Sequence, residues 1–198
     1  MPDPALSGHS PAGTGRAADE QQLIVQAKVG DRSAFRCLVE RYMKDAYNVA
    51  YSLLGDHHSA EDVAQEAFVR VHRSLNTFRG ESGFGTWLYR IVTNLSLNRL
   101  KQAARRRTHE VLSLPEDGVA AHDASQLLQQ AETTEHLERA LHELPTLQRA
   151  VVILRHIDGL STKQVSRILG CSEGTVKTHL YRGLGHLRKK LEHLHNNR

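Results

Sequence analysis

The 198-residue chain has two cysteines, ten aromatic rings beyond its histidines, and no long run of apolar residues. Each shortage excludes something. Cys37 and Cys171 stand far apart with no CxxC pair, so no disulfide framework can be drawn from them, and each reads as a small hydrophobe in a reducing compartment. The thirteen histidines are scattered: His57-His58 and His193-x-His195 miss the i,i+4 spacing of a helical ligand pair. No cysteine or carboxylate completes a set, so no metal site is expected. Neither a phosphate-cradling glycine loop nor a nucleophile beside a base is legible, which argues against an enzyme, a cofactor or a small-molecule substrate. No stretch is long and apolar enough to span a bilayer. The opening "MPDPALSGHSPAGTGRAADE" lacks the basic and apolar halves of a signal peptide, so the expected location is the cytoplasm.

What is present is helical. Hydrophobic residues make up 39 % of the chain and charged residues 24 %, and the formal charge of +4 favours a polyanionic partner. Residues 1–19 are rich in Pro, Gly, Ser and Ala and read as a disordered extension. From 20 to 104 apolar residues recur at helical spacing: Leu23, Ala27, Phe35, Leu38 and Tyr42, then Ala64, Phe68, Val71 and Leu75, then Leu88, Ile91 and Leu95. Ser59 is the expected N-cap of the middle helix, and Thr86 the opening of the last. The period fades over 105–130, which reads as a flexible linker, and resumes in 131–198. The expected fold is all-α: two small helical domains joined by a tether.

The second domain carries the more specific pattern. In "LSTKQVSRILGCSEGTVKTHLYRGLGHLRKKL", Ser161 can cap a short helix that buries Val165, Ile168 and Leu169. Gly170 stands where a left-handed turn is cheapest, and Ser172 caps a second helix with Val176, Leu180 and Leu184 as its apolar stripe. Two helices joined this way form a helix-turn-helix, whose second helix can enter a major groove. Thr175, Lys177, Thr178, Tyr181 and Arg182 then face outward, with donors for guanine edges and phosphates.

The first domain offers two further surfaces. "AEDVAQEAFVRV" places Asp62, Gln65, Glu66 and Val69 on one face, opposite the apolar stripe, where an acidic surface suits a basic protein rather than DNA. "FRGESGFGTWLYRIVTNLSLNRLKQAARRR" gathers Phe78, Phe84, Trp87 and Tyr89 ahead of Arg90, Asn94, Asn98, Arg99 and Lys101. Aromatics beside basic and amide groups suit single-stranded nucleic acid, whose unstacked bases need a platform.

In this order the segments resemble the bacterial sigma factors, in particular the small two-domain extracytoplasmic-function (ECF) group. "DVAQEAF" is similar to that family's core-polymerase-binding signature, "FRGESGFGTWLYRIVTN" to its promoter-melting segment, and the helix-turn-helix to its minus-thirty-five reader. The resemblance implies that Asp62, Gln65, Glu66 and Val69 dock on the clamp helices of the beta-prime subunit of core RNA polymerase, with the beta subunit a further contact. It implies that Arg79, Phe84, Trp87, Asn94, Asn98 and Lys101 bind or shape the minus-ten strand of promoter DNA, and that Thr175, Lys177, Thr178, Tyr181 and Arg182 meet the minus-thirty-five element. It also implies an anti-sigma factor, often membrane-anchored. Gln164-Val165-Ser166 stands where the family has Glu-Ile-Ala, Asn98 where an Asp is common, and Leu184 where an Arg is frequent. The competing reading is a helix-turn-helix regulator that binds DNA without being a polymerase subunit.

Overall fold

The computed structural model describes residues 14–109 and 136–195. Among them every regular element is helical. Four of the chain's five prolines fall outside that span, and Pro145 sits just before a helix, where its missing N–H breaks no bond. The first group of helices is α1 (Thr14–Lys28), α2 (Arg32–Leu54), α3 (His57–Ser74) and α4 (Phe84–His109), with a 3-10 turn at Leu75–Thr77. The second group is α5 (136–142), α6 (Thr146–Val152), a π-helical turn at Ile153–Ile157, α7 (Thr162–Leu169) and α8 (Glu173–His195).

Several boundaries differ from those the sequence suggests. Helix α1 starts at Thr14, inside the segment read as a disordered extension. Its end is tied down by Asp19, 2.6 Å from Arg41, and by Glu20, which accepts the Tyr42 hydroxyl proton. Helix α4 passes residue 104 and ends at His109, because the arginine run is a good helix former as well as a charge cluster. The rest of the expected linker, 110–130, and the first five residues of the second domain lie outside the described residues. Helix α3 is capped by Asp56, whose carboxylate accepts the Ser59 amide at 2.7 Å. Both residues are good caps, but Asp56 follows the left-handed Gly55 directly, so the chain turns helical there first. Helix α4 opens at Phe84 rather than Thr86.

The first domain packs the stripes of α2, α3 and α4 together: Leu38, Val49, Leu53, Val63, Phe68, Val71, Leu88 and Val92 are all buried. Phe84 joins them beneath Trp87, with ring centroids 5.8 Å apart. In the second domain the capping box at α7 is complete: Ser161 Oγ accepts the Gln164 amide, and the Gln164 side chain accepts the Ser161 amide. Gly170 ends α7 at φ 65°, a left-handed conformation that a residue with a Cβ adopts only at a cost. The buried stripe of α8 is Val176, Gly183 and Leu187, with Leu180 half-buried; Leu184, expected in it, points outward. Gly183 takes that place because α6 comes too close for a side chain: a Cβ there would lie 2.8 Å from Val152 Cγ2.

The two groups of helices are not held apart. One continuous apolar cluster runs from Leu38, Val49 and Phe84 into Ile153, Leu154, Val165 and Ile168. Helix α7 lies against α4, where Gln164 Nε2 stands 3.5 Å from Thr86 Oγ1 and an Arg167 guanidinium nitrogen 3.4 Å from the Glu81 carbonyl. At the other end of this seam the His142 ring covers Gly55.

Candidate nucleic-acid interface

Helix α3 presents Gln65 and Val69 to solvent, with Asp62 and Glu66 about half exposed, as its spacing requires. The face is less acidic than the sequence suggests. An Arg99 guanidinium nitrogen from α4 lies 3.3 Å from Asp62 Oδ2, and Arg70 lies 2.7 Å from Glu66 one turn along. Exposed pairs of this kind are worth about 0–1 kcal/mol, so a partner can exchange them cheaply. Beside them Phe35, Met43, Phe68, Val69 and His72 line an open, mainly apolar groove of about 500 Å³. Val69, at 48 % exposure, is its apolar rim.

Helix α4 carries the second surface. Trp87 is half-buried, and Arg90, Asn94, Asn98 and Lys101 follow along the exposed side of the helix. Trp87, Ile91 and Asn94 form one wall of a recess of about 440 Å³, and Arg70, Arg73, Ser74 and Thr77 form the other. A flat ring on one side and guanidinium groups on the other can hold an unstacked base and its phosphate. Arg79 is exposed on the preceding loop. Phe84 is not part of this surface: at 1 % exposure it cannot stack on a base, and its ring is packed against Tyr42, Phe78 and Trp87. Arg70 and Arg73 were missed from sequence, although their i,i+3 spacing on α3 is legible. What the sequence did not show is that α3 and α4 pack with these residues facing Trp87.

The third surface is the outer face of α8. Thr175, Lys177, Thr178, Tyr181 and Arg182 are all exposed, Tyr181 at 82 %. The two threonines are oriented by local bonds. Thr178 Oγ1 donates to the Gly174 carbonyl at 3.0 Å, and Thr175 Oγ1 is 2.8 Å from Ser172 Oγ. With its proton engaged inside the helix, Thr178 offers a methyl group and an acceptor rather than a phosphate donor. Ser172 Oγ also accepts the Thr175 amide at 3.0 Å, so it caps α8 as the sequence suggests. Among the described residues no cluster of three or more His, Cys, Asp or Glu is placed to hold a metal, and no helix is long and apolar enough to cross a membrane.

A helical protein with a half-exposed tryptophan facing arginines in one domain and a helix-turn-helix in the other has the surfaces of a DNA-binding protein. Residues 38–106 match the Sigma-70 region 2 family, and residues 134–187 the Sigma-70 region 4 family. The chain is 36 % identical to the ECF RNA polymerase sigma factor SigW of Bacillus subtilis over 88 % of its own length and 97 % of that protein's. Among solved structures it resembles CnrH in complex with the cytosolic domain of CnrY, at TM-score 0.65 and 26 % identity, over 88 % of this chain and 97 % of that one. It resembles equally the sigma factor RpoE in complex with the anti-sigma factor NepR from Bartonella quintana, at TM-score 0.65 and 25 % identity, over 80 % and 96 %. The chain belongs to the sigma-70 family of bacterial RNA polymerase sigma factors, in its ECF group. It directs core RNA polymerase to promoter DNA.

Proposed function

We propose that the three surfaces divide the work of that activity. Asp62, Gln65, Glu66 and Val69 dock on the beta-prime clamp helices, with the adjacent apolar groove as the site of burial, and the chain meets the beta subunit elsewhere. Arg79, Trp87, Asn94, Asn98 and Lys101 hold the minus-ten strand once it is melted, while Phe84 fixes the Trp87 ring. Thr175, Lys177, Thr178, Tyr181 and Arg182 read the minus-thirty-five element in the duplex. The protein works in the cytoplasm as a specificity subunit and brings no catalytic group of its own. An anti-sigma factor holds it inactive, as the partner named for the RpoE structure suggests.

The observation that carries this reading is the recess at Trp87: a half-exposed ring facing Arg70 and Arg73, on the same chain as a separate helix-turn-helix. A regulator that binds only duplex DNA has no use for the recess. Run-off transcription with core polymerase tests the reading. Trp87→Ala is expected to abolish initiation on a duplex promoter and to restore part of it on a template already unpaired at the minus-ten element. Equal loss on both templates would place Trp87 outside strand capture. Duplex binding with no polymerase-dependent transcript from the native chain would leave the regulator reading in its place.

A further inference from the structure

The seam between the two domains contains a carboxyl group with no compensation. Asp158 follows the π-helical turn and lies within electrostatic reach of Asp45 on α2 and Tyr89 on α4. Its Oδ2 is enclosed and has no hydrogen-bond partner. Among the described residues no ion pair reaches it. Arg155 on the same turn donates through Nη1 to the Leu160 carbonyl while its Nε is enclosed without a partner, Arg167 on α7 is turned to the Glu81 carbonyl, and Lys163 and His156 are exposed. Two polar contacts across the seam, at 3.4 and 3.5 Å, are long and weak. Among the described residues the closed arrangement therefore rests mainly on the shared apolar cluster and is opposed by the half-buried Asp158, whose Oδ2 is enclosed.

Closure also excludes promoter reading. The minus-ten and minus-thirty-five elements are separated by about 25 base pairs, roughly 85 Å of duplex at 3.4 Å per base pair. Helix α7, a dozen or so ångströms long at about 1.5 Å per residue, touches α4 and leads straight into α8. The chain must open to reach both elements. We propose that Asp158 is the release element of the closed arrangement, a carboxylic acid whose ionisation, set against Asp45, drives the two domains apart.

The sign follows from the neighbourhood. Burial first, and then the Asp45 charge, push the Asp158 carboxyl up from 3.8 to about 7 in the closed arrangement, and opening returns it to an ordinary value. Asp158 leaves closure unhindered only below 3.8, where it is neutral in both arrangements. The penalty grows as pH rises through that interval and is constant above about 7. His142, over Gly55, acts in the opposite sense: burial and then Arg149 keep it below its ordinary value, so its protonation opposes closure on the acid side. Comparing the native chain with a variant at each pH cancels that contribution.

The full chain, Asp158→Asn and Asp45→Asn are compared by small-angle X-ray scattering between about pH 5 and pH 8, with circular dichroism to check helicity. Asp158→Asn is expected to be more compact than the native chain at about pH 8. The native closing equilibrium should fall about tenfold relative to this variant's between about pH 6 and pH 8. Asp45→Asn, which leaves Asp158 in place and lowers the cost of ionising it, is expected to lie between the two. If Asp158→Asn loses helicity, the ordering of the native chain and Asp45→Asn decides the question alone. Radii that coincide across the range, whether compact or extended, overturn the proposal, and so does a variant more expanded than the native chain. Scattering needs no DNA, so the seam can fail this test without affecting the assignment of the DNA surfaces, and the reverse also holds.

Discussion

Two glycines on α8, Gly183 and Gly185, stand two residues apart and have opposite consequences. By helix propensity alone each weakens the recognition helix by roughly 1 kcal/mol against alanine. Gly185 has open space around it, so Gly185→Ala should stabilise the second domain by about 0.5–1 kcal/mol. Gly183 is packed against Val152, a short, buried side chain with nowhere to move, so Gly183→Ala should be destabilising by about 1 kcal/mol or more despite the better propensity. Thermal unfolding of the two variants checks both signs, and a higher midpoint for Gly183→Ala would mean that α6 and α8 are not held this tightly. Arg182, exposed on the opposite side, carries no packing role. If it takes a guanine edge, Arg182→Ala should cost about 1–3 kcal/mol on the cognate element and relax preference at one base pair. If it holds a phosphate, every sequence should weaken alike and the salt dependence should fall by about one unit of slope. Titrations on the cognate duplex and its single-base variants at two salt concentrations separate these results.

At the scale of the element, capping chemistry decided which boundaries were legible. Ser161, Gly170 and Ser172 were readable because each signal stood alone at its position, and the structure has all three in the expected roles. Where two signals competed, as at Asp56 and Ser59, spacing alone did not rank them. Ser161→Ala should cost about 1 kcal/mol, measured by chemical denaturation, with the loss centred on α7. The Asp31 and Asp56 caps behave differently with pH: hydrogen bonds, first from Ser33 and Ser59 respectively, hold both carboxyls below 3.8. Their contribution is present above that value and fades as pH falls through the lowered one, so Asp31→Asn and Asp56→Asn should flatten the acid limb of the stability curve. On α3 the helical stripe was legible but the ion pairs were not, because Arg99 comes from thirty-seven residues away. Reversing charge at Asp62 and Glu66 together should weaken core-polymerase binding in a titration and leave duplex binding by α8 unchanged. Unaltered polymerase affinity would remove α3 from that interface.

At the scale of the whole molecule, the seam was the least legible feature. Val165 and Ile168 read from sequence as the inner face of a helix-turn-helix, and they are that, but the same cluster continues into the first domain. Helical periodicity says that a face is buried and not against what. On the proposed roles of Trp87 and the seam, strand capture and closure compete for the start of α4, so minus-ten single strand should expand the chain as it quenches Trp87, the sole tryptophan. A radius of gyration that stays constant while fluorescence saturates would mean the ring is reached in the closed state. Helix α8 divides its surface differently: Val176, Gly183 and Leu187 face α6 and the core, while Thr175, Lys177, Thr178, Tyr181 and Arg182 face away. The packing set shares no residue with the proposed reading set. Promoter preference is therefore a free variable of the scaffold: replacing the five outward residues should change unfolding free energy by only about 0.5 kcal/mol each while rewriting which upstream element is bound. The address can be edited without touching the core, which makes the chain a platform for sigma factors that ignore one another's promoters.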